Sequence, residues 1–167
     1  KKSIMKISVW YNNEDIRIEE VPRPKPGHKE MLIKVISCGI CGSDVHMAQA
    51  DEDGYMWYPG LTGFPSILGH EVSGIVVEAG SQALDKTTNK PFKGGERVCT
   101  EEMIWCGRCT PCRNGYPNHC EKLEEIGFTI PGAFSKYLAV DEKFCWPVDS
   151  ILERFGLEKG VEVAAMS

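Results

Sequence analysis

A cluster of four cysteines constrains the fold of this chain more than any other sequence feature. In the segment WCGRCTPCRNGYPNHC they follow the spacing C-x2-C-x2-C-x7-C, at Cys106, Cys109, Cys112 and Cys120. An x2 spacing lets two thiolates reach one ion, and four thiolates complete a tetrahedral shell with no position left for a substrate. The spacing therefore predicts a structural zinc site that ties down a lobe with few apolar residues of its own.

Three other uses of cysteine compete with structural zinc. Eight cysteines would permit disulfides in a secreted scaffold, but no secretory signal is recognisable and the chain is long enough to form a core. An iron–sulfur cluster suits three cysteines at x2 spacing, yet the C-x3-C-P ending of ferredoxin segments is absent. A nucleic-acid-binding zinc ribbon needs two separated C-x2-C pairs and a basic surface. Structural zinc is favoured over all three.

Charge and hydropathy exclude several functional classes. The 167 residues carry 19 basic and 24 acidic side chains, a net charge of −5, so no broad cationic face is expected to bind nucleic acid or anionic lipid. Hydrophobic residues make up 42% of the chain, which is enough for a globular core. No apolar run approaches the ~20 residues of a membrane span. We expect a soluble, cytoplasmic protein that binds neither nucleic acid nor membrane.

Alternating apolar residues predict a mostly β fold with short helices. The segments expected to form strands are IMKISVWY, DIRIEEV, MLIKVISCGI, EVSGIVVEAG, ERVCT and AFSKYLAVDEKFCWPV. Seventeen glycines and ten prolines favour long loops, so we predict a largely antiparallel barrel. Helices are predicted only at SDVHMAQA and from Ser150 to Ser167. An irregular loop rich in aromatic residues is predicted over residues 50–66.

A second group of potential metal ligands lies in the first half of the chain. The segment GICGSDVH contains Cys41, and the tripeptide GHE supplies His70 and Glu71. A thiolate, an imidazole and a carboxylate form the mixture that holds a catalytic zinc with one position open for water or substrate. From these residues alone, a buried core cysteine and a chance tripeptide account for the pattern equally well.

These segments together resemble the zinc-containing medium-chain alcohol dehydrogenases. GHEVSGIVVEAGSQA fits the signature of that family, with Gly74, Gly80 and Ala83 at the required positions. The GICGSDVH segment, this signature and the four-cysteine lobe occur along the chain in the same order as in that family. The resemblance extends from about Met5 to Ser167. It implies the family's catalytic domain, a GroES-like, partly open β-barrel.

The resemblance also implies a domain organisation. The GroES-like zinc-binding domain would occupy residues 1–150, with its structural zinc lobe at 99–122. Residues 151–167 would begin the connection to a nucleotide-binding domain. A Rossmann domain shows a GxGxxG turn after a strand, and this sequence contains no such turn. We therefore expect the Rossmann domain to be absent from this chain, and the chain alone to bind zinc without catalysing dehydrogenation.

Carried over residue by residue, the resemblance assigns the catalytic zinc site. Cys41 and His70 match ligands of that zinc. Glu71 matches the carboxylate after the histidine, which in the polyol dehydrogenase branch can bind the metal directly and in other branches lies near it. Asp44 matches a carboxylate that fixes the orientation and tautomer of the ligand imidazole. Together with the four-cysteine lobe, these residues imply two zinc ions per chain, one catalytic and one structural.

The resemblance further implies a proton relay through Ser43 and His46. Ser43 would take the proton of the alcohol, and His46 would pass it to solvent. A second interpretation is that Ser43 and Asp44 cap the following helix and that His46 is a surface residue.

The function implied is oxidation of a secondary alcohol, as in a polyol, with NAD(P) bound mainly by the absent domain. A threonine-type or simple alcohol dehydrogenase shares every motif. An alternative of another class is a zinc-stabilised GroES-like binding module without catalysis. The substrate would be a small alcohol or polyol, and we expect the full-length protein to form a homo-oligomer.

The remaining cysteines and two further histidines are predicted to have no role in the chemistry. Cys38, Cys99 and Cys145 lie in strand-like surroundings and are expected to pack in the core. His119 lies within the four-cysteine lobe, where the family pattern uses the adjacent cysteine. His28, in a Pro-Gly turn, is expected to be solvated.

Overall fold

The structure is a computed structural model that describes residues 3–12, 14–48 and 63–156, and short β-strands dominate it. Within these residues the strands are β1 (Ile4–Trp10), β2 (Ile16–Pro22), β3 (Glu30–Gly39), β4 (Glu71–Ala79), β5 (Leu84–Asp85), β6 (Lys90–Pro91), β7 (Arg97–Thr100), β8 (Met103–Ile104), β9 (Glu124–Glu125), β10 (Tyr137–Asp141) and β11 (Cys145–Pro147). The helices are α1 (Gly42–Ala48), α2 (Thr110–Arg113) and α3 (Asp149–Arg154), with 3₁₀ turns at Pro117–His119 and Glu142–Phe144. The prediction of a mostly β fold with short helices is confirmed.

A five-stranded antiparallel sheet in the order β10-β3-β4-β7-β11 forms the centre of the fold. The β1–β2 hairpin attaches to it through the segment that leads into β10. There the N–H of Ser8 donates to the carbonyl of Phe134 at 2.8 Å, and the N–H of Lys136 donates to the carbonyl of Lys6 at 3.3 Å. The strands therefore curl into the partly open, half-barrel arrangement that the family resemblance implied.

The core is built on this sheet. Its largest cluster of buried side chains comes mainly from alternate positions of the central strands and includes Met31, Ile33, Val72, Val76, Val98, Leu138 and Val140. Complete burial of an aliphatic side chain of this size contributes about 1.5–3 kcal/mol relative to its exposure to water. The alternation is broken in β3, where irregular pairing with β4 occurs between Leu32 and Ile33. Three successive residues, Met31, Leu32 and Ile33, are consequently buried.

The C-terminal β-rich segment differs from its prediction. One alternating segment was expected over AFSKYLAVDEKFCWPV, but β10 ends at Asp141 and a 3₁₀ turn separates it from β11. The Asp141 carboxylate accepts the N–H of Lys143 at 2.9 Å and so stabilises the turn. A local hydrogen bond of this kind leaves the apolar alternation unchanged, which is why the pattern concealed it.

Both predicted helices are present in the part of the chain that is described. α1 covers the predicted SDVHMAQA helix up to Ala48, and residues 49–50 lie outside the described residues. α3 starts at Asp149, one residue before the predicted helix, and ends at Arg154, whereas residues 157–167 are not described. No helix among the described residues has the length and hydropathy needed to cross a membrane.

The aromatic-rich loop predicted over residues 50–66 is only partly described. Of its aromatic residues, Phe64 packs against the apolar cluster of Trp10, Met47, Leu68 and Phe128. Tyr55, Trp57 and Tyr58 lie outside the described residues. The stretch between Gly80 and Gly94 contains the small β5–β6 hairpin.

Candidate metal centres

Antiparallel pairing of β3 with β4 brings the predicted catalytic ligands together. In this register Gly39, the last residue of β3, lies opposite Glu71, the first residue of β4. Cys41 follows β3 by two residues and His70 immediately precedes β4, so both reach the same corner of the sheet. The ligand atoms of Cys41, His70 and Glu71 all lie within 4.8 Å of one another. Such a spacing suits coordination of one ion.

Two glycines make room at this corner. Gly69, which precedes His70, has a φ of 94°, and a Cβ atom there would lie 2.8 Å from the Cys38 sulfur. This left-handed conformation strongly favours glycine and turns the chain so that His70 enters the interior. At Gly39, any Cβ atom would collide with the carboxylate of Glu71.

The His70 imidazole is buried, with 5% of the residue exposed, and is held between groups of different chemistry. Its ring packs against Phe128, with the two centroids 4.8 Å apart. Its Nδ1 atom faces Asp44 Oδ1 at 3.9 Å, and its Nε2 atom faces Ser43 Oγ at 3.4 Å. Among the described residues, neither His70 Nδ1 nor Asp44 Oδ1 has a hydrogen-bond partner.

Asp44 has the surroundings expected of a residue that orients the imidazole. It is 1% exposed, and its Oδ2 atom accepts the N–H of Cys41 at 2.9 Å. Burial raises the pKa of the Asp44 carboxyl, whereas the Cys41 N–H and the nearby His70 ring act in the opposite direction. Because the same carboxylate caps the backbone ahead of α1, the orienting and capping interpretations both agree with its position.

The residues at this corner fit a zinc ion. Sulfur, nitrogen and oxygen donors that lie within 4.8 Å of one another are a set that zinc can bind. Cys41 and Glu71 are partly exposed while His70 is buried, so the group opens on one side.

That open side is a cavity of about 450 Å³. Besides the three potential ligands, the residues that line it are Cys99, Thr100, Glu101, Glu102, Met103 and Trp146. Its volume lies within the usual range for small-molecule sites, about 300–1,000 Å³. The arrangement can therefore admit an organic substrate beside a metal ion.

The two residues of the predicted proton relay occupy different environments. Ser43 is buried and lies beside His70 Nε2. His46 is on the same helix three residues later but is exposed. Within the described residues the His46 ring makes no hydrogen bond to Ser43, so the structure does not connect the two side chains directly.

The four cysteines of the second group also converge. The sulfur atoms of Cys106, Cys109, Cys112 and Cys120 all lie within 4.8 Å of one another. The N–H groups of Arg108 and Cys109 donate to Cys106 Sγ at 3.5 and 3.4 Å, and lower the pKa of that thiol to about 6. Removal from water raises the pKa of the Cys112 thiol to about 12. Amide groups directed at sulfur favour the thiolate form that binds zinc.

One lysine attaches this four-cysteine lobe to the barrel. Lys143 donates from Nζ to the carbonyl of Trp105 at 2.7 Å, and the same atom lies 3.7 Å from the centre of the Trp105 ring. The Trp105 ring meets Phe144 edge-on at 5.6 Å. The residue before Cys106 is thereby fixed against the core by a cation–π contact and a hydrogen bond.

The cysteines and histidines predicted to have no chemical role lie outside both ligand groups. Cys145 is completely buried, and Cys38 and Cys99 are partly buried. Burial raises the pKa of the Cys38 thiol to about 12. His119 contacts the Tyr116 ring, and exposed His28 lies 3.2 Å from Ser81 Oγ.

Glu101 and Glu102 are cavity residues that the sequence reasoning missed. Their signal was a pair of adjacent acidic residues directly after a short strand, β7, where loop side chains commonly enter a site. The pair stands next to the four-cysteine segment, and its position near His70 depends on the neighbouring strands.

Comparison with known proteins places these features in one family. Residues 27–150 match the alcohol dehydrogenase GroES-like domain. The chain is 58% identical to scyllo-inosose 3-dehydrogenase of Thermotoga maritima over 155 residues, 91% of this chain and 38% of that protein. The chain thus spans less than two fifths of the length of this curated relative.

Solved structures agree with the match. A Thermotoga maritima protein described as an alcohol dehydrogenase superposes with a TM-score of 0.82 at 45% identity, covering 98% of this chain and 48% of that one. A zinc-binding dehydrogenase from Sinorhizobium meliloti, bound to NADP, gives a TM-score of 0.72 at 35% identity, covering 87% and 38%. On the matched domain, the fold and these relatives, the chain belongs to the alcohol dehydrogenase GroES-like domain family.

Proposed function

We propose that this chain is the catalytic-domain portion of a zinc-dependent, NAD(P)-linked dehydrogenase that oxidises a secondary alcohol of a polyol to a ketone. The observation that carries the proposal is the Cys41, His70 and Glu71 group, which opens on a cavity of about 450 Å³. The Thermotoga maritima relative named scyllo-inosose 3-dehydrogenase supports the substrate class. A binding module would not need a ligand group with an open side.

The proposal includes a division of the chain. Residues 1–150 form the GroES-like domain, 99–122 form its structural zinc lobe, and 151–167 begin the connection to a nucleotide-binding domain. The lobe proposal is supported by the four converging sulfur atoms and by the contact of Lys143 with Trp105. Residues outside this sequence would hold most of the nicotinamide cofactor.

Each residue of the candidate centre has a role in this proposal. Cys41, His70 and Glu71 hold zinc, and buried Asp44 orients the imidazole. When bound, zinc supplies Lewis acidity toward the alcohol oxygen, and the nicotinamide supplies the acceptor for the carbinol hydride.

The relay removes the proton that alcohol oxidation releases. Ser43 lies beside His70 Nε2, accepts the hydroxyl proton of the substrate and passes it on through a bridging hydroxyl or water. Exposed His46 then releases the proton to solvent.

Reduction of NAD(P)+ by polyols tests the proposed function. Zinc-loaded full-length protein should reduce the cofactor with secondary alcohols of polyols, as followed by the absorbance of the reduced nicotinamide. Primary alcohols serve as the comparison substrates. Zinc-loaded protein that reduces neither NAD+ nor NADP+ with any secondary alcohol would support the binding module instead.

A mild chelator should distinguish the two zinc ions. The untreated protein should contain two zinc ions per chain. We expect one to leave quickly with loss of activity, because the site opens to solvent and has only three ligands in this domain. The second should remain until the fold is lost, since four thiolates surround it. Elemental analysis over time measures both steps. Departure of both ions at one rate would contradict the division into catalytic and structural zinc.

Replacing His46 with alanine tests the relay. Turnover should fall most at low pH, by up to about 100-fold, because direct loss of the proton to water is slow there. Added imidazole buffer should restore part of the rate. Val45→Ala, an exposed change on the same helix, is the control and should leave the pH profile unchanged. Wild-type turnover of the His46 variant at all pH values would remove this residue from the mechanism.

A further inference from the structure

Glu102 places an additional carboxylate at the candidate catalytic cavity. Its Oε2 atom lies 3.7 Å from His70 Nε2, and 47% of its side chain is exposed toward solvent. The backbone at this position is fixed, because the carbonyl of Glu102 accepts the N–H of Ile126 at 2.9 Å. The side chain is therefore presented to the cavity by an anchored segment between β7 and β8.

The position of Glu102 points to a role other than metal binding. Among the described residues, the group whose ligand atoms all lie within 4.8 Å of one another contains Cys41, His70 and Glu71 and leaves Glu102 out. The same Nε2 atom of His70 has Ser43 Oγ at 3.4 Å. Ser43 and Glu102 thus flank the nitrogen that faces the metal position. These two oxygen atoms lie 3.4 and 3.7 Å from the same nitrogen, so one small substrate bound there can contact both side chains.

The adjacent acidic residue provides a contrast. The Glu101 carboxylate accepts a hydrogen bond from Trp146 Nε1 at 2.8 Å. No group within the described part of the chain donates such a bond to the Glu102 carboxylate, and its close neighbours include the His70 ring. Glu102 therefore keeps hydrogen-bond acceptors available to a molecule in the cavity.

We propose that Glu102 determines specificity by accepting a hydrogen bond from a hydroxyl or ammonium group on the carbon next to the carbinol being oxidised. This inference rests on the proposed function and names the substrate feature that the site selects. Simple alcohols leave the carboxylate without a partner, and a phosphate or carboxylate at that position would be repelled. The described lining residues include Glu71 and Glu101 as well but neither lysine nor arginine, which adds to the exclusion of anions.

Three alcohols that differ in one substituent provide the test. The full-length, zinc-loaded protein is assayed with 2-butanol, meso-2,3-butanediol and 3-amino-2-butanol. A hydrogen bond to a charged acceptor should favour the diol or the amino alcohol over 2-butanol by at least about tenfold in kcat/KM. Glu102→Gln should reduce that preference about tenfold and change kcat/KM for 2-butanol less than about threefold.

The amino alcohol distinguishes the two possible donors. If Glu102 binds an ammonium group, the interaction depends on the negative charge of the carboxylate. Glu102→Gln should then lower kcat/KM for 3-amino-2-butanol more than kcat/KM for the diol. A hydroxyl group can still donate to the amide oxygen of glutamine. If the donor is a hydroxyl group, Glu102→Ala should reduce the preference for the diol over 2-butanol further than Glu102→Gln does. Glu124→Gln, an exposed change on β9 outside the cavity, should leave all three rates unchanged.

Several results would overturn the proposal. Equal kcat/KM for the three alcohols in the wild-type protein, or an unchanged preference in Glu102→Gln, would remove Glu102 as a specificity determinant. Loss of one zinc ion from Glu102→Gln, measured by elemental analysis, would make it a metal ligand. A wild-type protein that oxidises none of the three and no polyol would overturn the proposed function, and this inference with it.

Discussion

Replacing Cys109 with serine should remove one of two zinc ions and lower the melting temperature by about 10 °C or more. A serine hydroxyl is a poor zinc ligand at neutral pH, so the four-thiolate shell would lose a ligand that it needs. Structural zinc contributes roughly 10–16 kcal/mol in zinc-finger peptides, which is comparable with the whole stability of a domain. The short α2 helix and the adjacent 3₁₀ turn of this lobe bury no residues of their own. Thermal unfolding and zinc analysis measure the result.

An exposed residue of the same lobe provides the control for Cys109→Ser. His119 lies next to Cys120 but outside the ligand group. His119→Ala should retain both zinc ions and keep the melting temperature within about 2 °C. If Cys109→Ser lost activity at unchanged thermal stability, the structural role of the lobe would be wrong.

The four-cysteine group was predictable because its geometry is local. Its ligands lie within residues 106–120, and turns alone can bring them together. One such turn uses Gly107, whose φ of 72° favours glycine between Cys106 and Cys109. The spacing of the cysteines alone was therefore enough to predict this ligand group. The attachment of the lobe through Lys143 and Trp105 was not predictable, since the two residues are far apart in the sequence.

The second group could not be derived from local patterns. Cys41 and His70 meet because Gly39 pairs with Glu71, and the β3–β4 register also contains two irregularities. A register shift of one residue would reverse the faces of a strand, and apolar alternation does not fix where such shifts occur. The grouping of Cys41 with His70 was predicted from the family resemblance, because the apolar alternation alone does not indicate it.

The signature glycine at position 74 has a physical explanation that only the structure shows. A Cβ atom at Gly74 would overlap the carbonyl oxygen of Lys34 on the paired strand β3. The close approach of these two strands holds the corner where His70 begins β4. The same limitation explains why Glu102 was missed, because its approach to His70 depends on how β7 pairs with β4.

Replacing Cys41 with serine should abolish activity in the full-length protein while the fold is retained. The variant should lose the catalytic zinc, keep the structural one, and show a kcat/KM at least about 1,000-fold lower, because the Lewis acid would be absent. The melting temperature should change by only a few degrees, since Cys41 is partly exposed and lies at the edge of the sheet. Activity assays, zinc analysis and thermal unfolding together measure these effects.

Cys38 offers a matched control for Cys41→Ser within the same segment. It lies three residues earlier, belongs to neither ligand group among the described residues, and keeps its proton because burial raises its pKa to about 12. Cys38→Ser should therefore retain two zinc ions and most of the activity, with a modest loss of stability from altered packing. If Cys38→Ser lost the catalytic zinc and Cys41→Ser kept it, the metal would be bound through the Cys38 thiolate instead of Cys41. The assignment of Cys41 with His70 and Glu71 would then be wrong.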